Sequence, residues 1–206
     1  MTNKNIKAVC FDFGGVIELY EDGNILENIA ELLNVPADDL KKEYFKHNHL
    51  CNIGDLSWDD VAIKAASFFD NTKETKNKIL SMIRDNQSKR KINTELLDIF
   101  PILRKQGLKV AIFSNNSLKL RGILDAKGIT KLVDEIVISS EIGLQKPHKE
   151  AFQVLFEKLS VNPEEVIFVD DAHKSLEKAS EIGYKPILFE NNEQLKIELK
   201  NLGIIL

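Results

Sequence analysis

The sequence predicts an α/β fold, with a parallel sheet between helical layers and a small α-helical bundle inserted after the first strand. Three observations predict it. Short apolar runs alternate with segments of helical spacing over residues 91–206. One apolar run, residues 6–13, stands apart near the start of the chain. Between them, residues 20–90 carry helical patterns with no strand among them.

The runs 6–13, 108–113, 135–138 and 166–169 are apolar at nearly every position, as strands covered on both faces are, and 185–189 reads as a fifth. Segments 94–105, 118–127, 149–159, 175–182 and 193–202 have helical spacing and separate them. That alternation is the signature of βαβ units and a parallel sheet. Gly107, Gly128 and Gly183 each follow a helix closely, where a left-handed cap is wanted. Pro101 falls inside a helical pattern and predicts a kink or a helix start. Together these give a Rossmann-like three-layer α/β/α core made of residues 1–18 and 91–206.

Residues 19–90 form the expected insertion, with helices at 25–33, 37–49, 58–69 and 73–86. Pro36 suits a helix start, and Ser57-Trp58-Asp59-Asp60 resembles a capping signal. His47, His49 and Cys51 lie close together near Gly54-Asp55, but this spacing does not put all three on one helix face, so no metal site is expected there. Trp58 is expected to pack inside the bundle. His148 and His173 flank two of the motifs described below and are expected to be exposed.

The chain of 206 residues has room for one large domain, or for a core with a smaller insertion. A net charge of −4 offers no basic stripe for nucleic acid or an acidic membrane, so neither partner is expected. Cys10 and Cys51 make no disulfide framework, and Cys10 reads as a small buried hydrophobe. The polar start Met1-Thr2-Asn3-Lys4-Asn5 does not look like a signal peptide. No apolar run nears the roughly 18 residues needed to span a bilayer. A reducing cytoplasm is the simplest expectation, with the chain as a monomer or homodimer.

Four segments carry chemistry. Asp12 ends the first apolar strand, just before Gly14 and Gly15. Ser114, Asn115 and Asn116 end the second, at a helix start where backbone N–H groups bind anions. Lys146 stands beside Pro147 ahead of another helix, and Asp170-Asp171 end a further strand. In an open α/β sheet ligands bind outside the carboxyl ends of the strands, so these groups are expected to converge there. Two carboxylates about 4 Å apart repel by roughly 4 kcal/mol at an effective dielectric near 20. A divalent cation relieves that repulsion and lets a phosphate dianion approach. An all-oxygen ligand set without His or Cys suits Mg²⁺. Lys146 supplies further positive charge, and Ser114 can donate to a phosphoryl oxygen. Asn115 and Asn116 are open between substrate contact and helix capping.

In this order and setting the motifs resemble those of the haloacid dehalogenase superfamily, in its phosphatase-like branch with a helical cap after the first strand. The resemblance spans the whole chain. It implies that Asp12 attacks phosphorus and forms an aspartyl-phosphate, later hydrolysed by water. It implies Mg²⁺ held by Asp12, the carbonyl of Gly14, Asp171, and Asp170 directly or through water. Ser114 and Lys146 match the phosphate-binding serine and charge-balancing lysine, and the substrate is expected to be a small phosphorylated metabolite, plausibly a sugar phosphate. One departure stands out: most phosphatases of the family carry a second Asp, acting as general acid and base, where this chain has Gly14. A general acid is worth about 10²–10⁴-fold, so the proton must come from the cap, a water or the substrate. Two rival readings remain: a haloacid dehalogenase using Asp12 without metal, and a member that binds phosphorylated ligands without turnover.

Overall fold

A computed structural model describes residues 6–20, 25–54 and 56–206. The polar start 1–5, the stretch 21–24 and Asp55 lie outside the described residues, and with them the expectation about a signal peptide. Strand β1 (Ala8–Phe11) leads into a two-residue strand β2 (Glu18–Leu19). Four helices follow: α1 (Ile25–Leu33), α2 (Ala37–Asn52), α3 (Trp58–Ala66) and α4 (Lys73–Ser88). After β3 (Lys91–Ile92) come α5 (Thr94–Lys105), β4 (Lys109–Ser114), α6 (Lys119–Ala126) and β5 (Glu135–Ile138). Then α7 (Ser139–Ile142), α8 (Lys149–Leu159) and β6 (Val166–Asp170) follow. The chain closes with α9 (His173–Leu176), α10 (Ala179–Ile182), β7 (Lys185–Leu188) and α11 (Asn192–Asn201).

The main sheet is parallel and ordered β5-β4-β1-β6-β7. Alternate side chains feed two cores, as the two-residue period of a strand requires. Val9, Phe11, Val110, Ile112, Ile167 and Val169 pack on one face with α5, α6 and α11. Cys10, Ala111, Phe113 and Phe168 pack on the other with α8 and α10. This is the expected three-layer α/β/α core, and Cys10 is the buried hydrophobe it was read to be. The four inserted helices hold a third core of their own, including Ile29, Leu40, Tyr44, Val61 and Ile79. Ser57 and Asp60 close a capping box at the start of α3, and Trp58 lies against Tyr44, with ring centroids 5.2 Å apart. His49 is exposed while Cys51 is buried in the helical core, so the His47–Cys51 group does not converge.

Two local expectations need correction. Helix α5 runs through Pro101, so this proline does not start a helix; its ring is exposed while Phe100 and Leu103 are buried and hold the turn. The helix read over 175–182 is two short helices, α9 and α10. No residue of α9 is fully buried, Leu176 being its partly buried contact with the core, whereas α10 buries Ala179 and Ile182. The inserted segment is also flanked by a small antiparallel ribbon, with Glu18 opposite Ile92 and Leu19 opposite Lys91. Two-residue strands are too short for periodicity to reveal.

Candidate active site

The strand order reverses direction beside β1. The chain goes out through β4 and β5, then returns to β6 on the other side. Ligands bind at such a switch point. Asp12 follows β1, and its N–H donates to Val169 O of β6 at 2.8 Å. Asp170 is the last residue of β6 and Asp171 follows it. Oxygens of Asp12, Asp170 and Asp171 lie within 4.8 Å of one another. Gly15 makes this possible. A Cβ there would stand 2.1 Å from Asp171 Oδ2, and its φ of +74° is a conformation that glycine adopts without strain.

Lys146 is enclosed by this group. Its side chain is 1% exposed, with Nζ 2.5 Å from Asp170 Oδ2 and 3.1 Å from Asp12 Oδ1. The ammonium also stands over the rings of Phe113 and Phe168, 5.5 and 5.0 Å from their centroids, where ring quadrupoles favour a cation. Burial works against the lysine's charge, but Asp12 and Asp170 outweigh it and hold its pKa above the usual lysine range. Asn115 fixes the segment: its Nδ2 donates to Lys146 O at 3.0 Å, and its Oδ1 accepts from Lys146 N–H at 2.8 Å. Asn116 Oδ1 accepts from Ser117 N–H.

Burial raises the Asp12 carboxyl to about 6; Lys146 pulls it down, Asp170 pushes it up, and hydrogen bonds from Phe13 N–H and Ser114 lower it. At neutral pH it is therefore ionised. Asp12 Oδ1 is buried and makes no aligned hydrogen bond. Asp171 is raised as well, by burial first and then by Asp170. Three carboxylates against one ammonium leave a formal excess of two negative charges. The excess charge and the all-oxygen donors together fit a hard divalent cation.

The residues singled out from sequence therefore meet at one edge of the sheet. Ser114 ends β4 and is 2% exposed, within hydrogen-bonding reach of Asp12. Gly14 lies beside them, bridged to Glu18. His148 and His173 are exposed, as expected. Sequence reasoning missed Tyr20, whose hydroxyl would stand 2.3 Å from a Cβ at Gly14. The Arg90 guanidinium covers the Tyr20 ring at 5.3 Å and pairs with Glu18 at 3.0 Å. Burial raises the Tyr20 hydroxyl above the usual tyrosine range, against Arg90, with Asp12, Glu18 and Asp171 adding to the rise. The only hint in the sequence was that an aromatic residue follows closely after the glycine pair.

Comparison with known proteins gives the family and the fold. The match to the haloacid dehalogenase-like hydrolases covers residues 6–183. The chain belongs to this hydrolase family. A phosphatase of Mycobacterium tuberculosis is 26% identical, over 98% of this chain and 97% of that one. A D-ribitol-5-phosphate phosphatase of Bacteroides thetaiotaomicron is 23% identical, over 94% of this chain and 97% of that one. Longer relatives match too: the chain spans 39% of the bifunctional epoxide hydrolase 2 of Rattus norvegicus. A haloacid dehalogenase family enzyme of Bacteroides thetaiotaomicron, solved with magnesium and inorganic phosphate, shares the fold. Its TM-score is 0.67 at 18% identity, covering 93% of this chain and 99% of that one. Among the described residues no helix is long and apolar enough to cross a membrane.

Proposed function

We propose that this hydrolase cleaves small phosphomonoesters, such as sugar or polyol phosphates, in a Mg²⁺-dependent reaction with Asp12 as nucleophile. The observation that carries the reading is the buried Lys146 between Asp12 and Asp170, with Asp171 alongside. A buried ion pair is weak evidence for stability, and this arrangement retains an excess of negative charge that a bound cation would relieve. Asp12, the Gly14 carbonyl, Asp170 and Asp171 are the groups that would hold Mg²⁺. When bound, Mg²⁺ would neutralise the carboxylates and the phosphate dianion, so that the two can meet.

In this scheme the Asp12 carboxylate attacks phosphorus, the ester oxygen leaves, and water cleaves the aspartyl-phosphate. Lys146 keeps Asp12 ionised and attracts the phosphoryl oxygens. Ser114 donates to those oxygens. Asn115 acts on the substrate through Lys146, whose main chain it clamps. Residues 19–90 act as a cap over the core formed by 1–18 and 91–206, excluding water and selecting the leaving group. The Asn52 amide donates to Gln145 Oε1 at 2.8 Å, tying the end of α2 to the loop before Lys146.

The test is hydrolysis of p-nitrophenyl phosphate with and without Mg²⁺, comparing Asp12→Asn. Loss of turnover in the variant, and on adding EDTA, is the expected result. Turnover that survives both removes the nucleophile and metal roles together. The dehalogenase alternative is disfavoured by Asp170 and Asp171, which would repel a carboxylate substrate and have no use for carbon chemistry.

A further inference from the structure

Cleaving an alkyl phosphate leaves an alkoxide that must take a proton, and the enclosed groups of the site are poorly placed to give one. Asp12 is committed to phosphorus. Asp170 is fully buried and bonded to Lys146 and to Ala172 N–H. Lys146 is closed off between two carboxylates, and Ser114 is 2% exposed. Tyr20 differs from all of them. Its hydroxyl fills the space beside the Gly14 Cα, two residues from Asp12, and the residue as a whole is 54% exposed.

We propose that Tyr20 is the proton donor to the leaving oxygen. The inference rests on the phosphomonoester reading and adds a residue to it. Its position is fixed rather than incidental. Tyr20 directly follows β2, and Arg90 directly precedes β3, so the ribbon pairing of Glu18 with Ile92 and Leu19 with Lys91 sets the two side by side. The Arg90 guanidinium then holds the ring from one face and is itself held by Glu18. The proton donor is thus mounted on the stem that joins the inserted helices to the core.

An Asp12 oxygen bonds to phosphorus as the P–O bond to the ester oxygen breaks. The released electron pair stays on that oxygen, which takes the phenolic proton of Tyr20. Water next attacks the phosphorus and gives its proton to the Tyr20 phenolate as the bond to Asp12 breaks. Phosphate departs, and both side chains are restored.

The experiment compares single-turnover cleavage of p-nitrophenyl phosphate and phenyl phosphate by the wild-type chain and Tyr20→Phe. The first leaving group departs well without a proton, and the second needs one more. Phe keeps the ring under Arg90, and a ratio of two rates within one protein cancels any loss of folded material. The expected result is that Tyr20→Phe slows phenyl phosphate at least about tenfold more than p-nitrophenyl phosphate, a modest fraction of what a general acid supplies. Adding Gly14→Asp to Tyr20→Phe should narrow the ratio again. With the hydroxyl gone, the nearest ring atom is Cζ, at an ordinary contact distance of 3.5 Å from the new Cβ. Equal slowing of both esters, which leaves their ratio unchanged, would make Tyr20 a packing residue and overturn the proposal. Asp12→Asn is assayed alongside. If it still turns over p-nitrophenyl phosphate, the phosphomonoester reading itself falls; if it is inactive, the ratio judges Tyr20 alone.

Discussion

The two ends of the same parallel sheet use the same residue types for opposite purposes. At the amino end Lys7, just before β1, pairs with Glu165, just before β6, at 2.7 Å, with the lysine side chain half exposed. At the carboxyl end Lys146 pairs with Asp170 and Asp12, with its side chain 1% exposed. Exposed pairs are worth about 0–1 kcal/mol, whereas buried ones pay a desolvation penalty that can exceed their attraction. A groove of about 570 Å³ runs past Lys7, Phe156 and Pro163, so open volume alone does not mark the chemical end. The buried, over-acidic charge cluster does.

Breaking each pair should expose the difference most clearly. Lys146→Met strands Asp12 and Asp170 beside each other without a counter-charge. Denaturation should show a loss of about 3–5 kcal/mol, and phosphate-ester hydrolysis should vanish. Lys7→Met should cost less than about 1 kcal/mol and leave hydrolysis intact. Comparable losses from the two variants would contradict the contrast.

Glycines sharpen it at smaller scale. Gly15 and Gly107 both have left-handed backbone, with φ of +74° and +81°. A Cβ at Gly15 meets Asp171 Oδ2 at 2.1 Å, while one at Gly107, near the amino end of β4, meets nothing within 4 Å. Alanine at either site should cost roughly 1–2 kcal/mol from the backbone alone. By calorimetric titration, only Gly15→Ala should weaken Mg²⁺ binding, by about tenfold (about 1.4 kcal/mol). A similar weakening in Gly107→Ala would mean that backbone strain, not Asp171, sets the affinity.

The smallest effect concerns pH. Burial raises the Asp12 carboxyl to about 6, so the folded chain holds that proton more tightly than the unfolded chain does. Without metal, ionising Asp12 therefore costs stability as pH rises from the usual carboxylate range through about 6. Mg²⁺ competes with that proton, so its stabilising shift in Tm should be larger at about pH 7.5 than at about pH 5. Equal shifts at both would separate Asp12 from the metal.

Much of this was legible in the sequence. Strands such as Val110–Phe113 and Val166–Val169 are buried on both faces, and unbroken apolar runs declare that without any partner being known. Asp12, Ser114 and Asp170 could be placed because each ends such a run, and strand ends in a parallel sheet point to one edge. The contacts across the fold were not legible. Phe113 and Phe168 read as core, yet they also seat the Lys146 ammonium. Asn115 was open between substrate and helix cap, and its amide instead grips the Lys146 main chain. Tyr20 gave no periodic signal, because its position depends on a ribbon of two-residue strands joining distant segments. Periodicity reports burial along one element and says nothing about which distant side chain fills a gap.

The most direct test of the central claim is to find the covalent intermediate. The chain is mixed with Mg²⁺ and a phosphate ester, quenched in acid within its first turnover, and its peptides are weighed. The expected result is one added phosphoryl group on the peptide containing Asp12, absent from Asp12→Asn. Sustained hydrolysis with no phosphate on Asp12 would contradict the account.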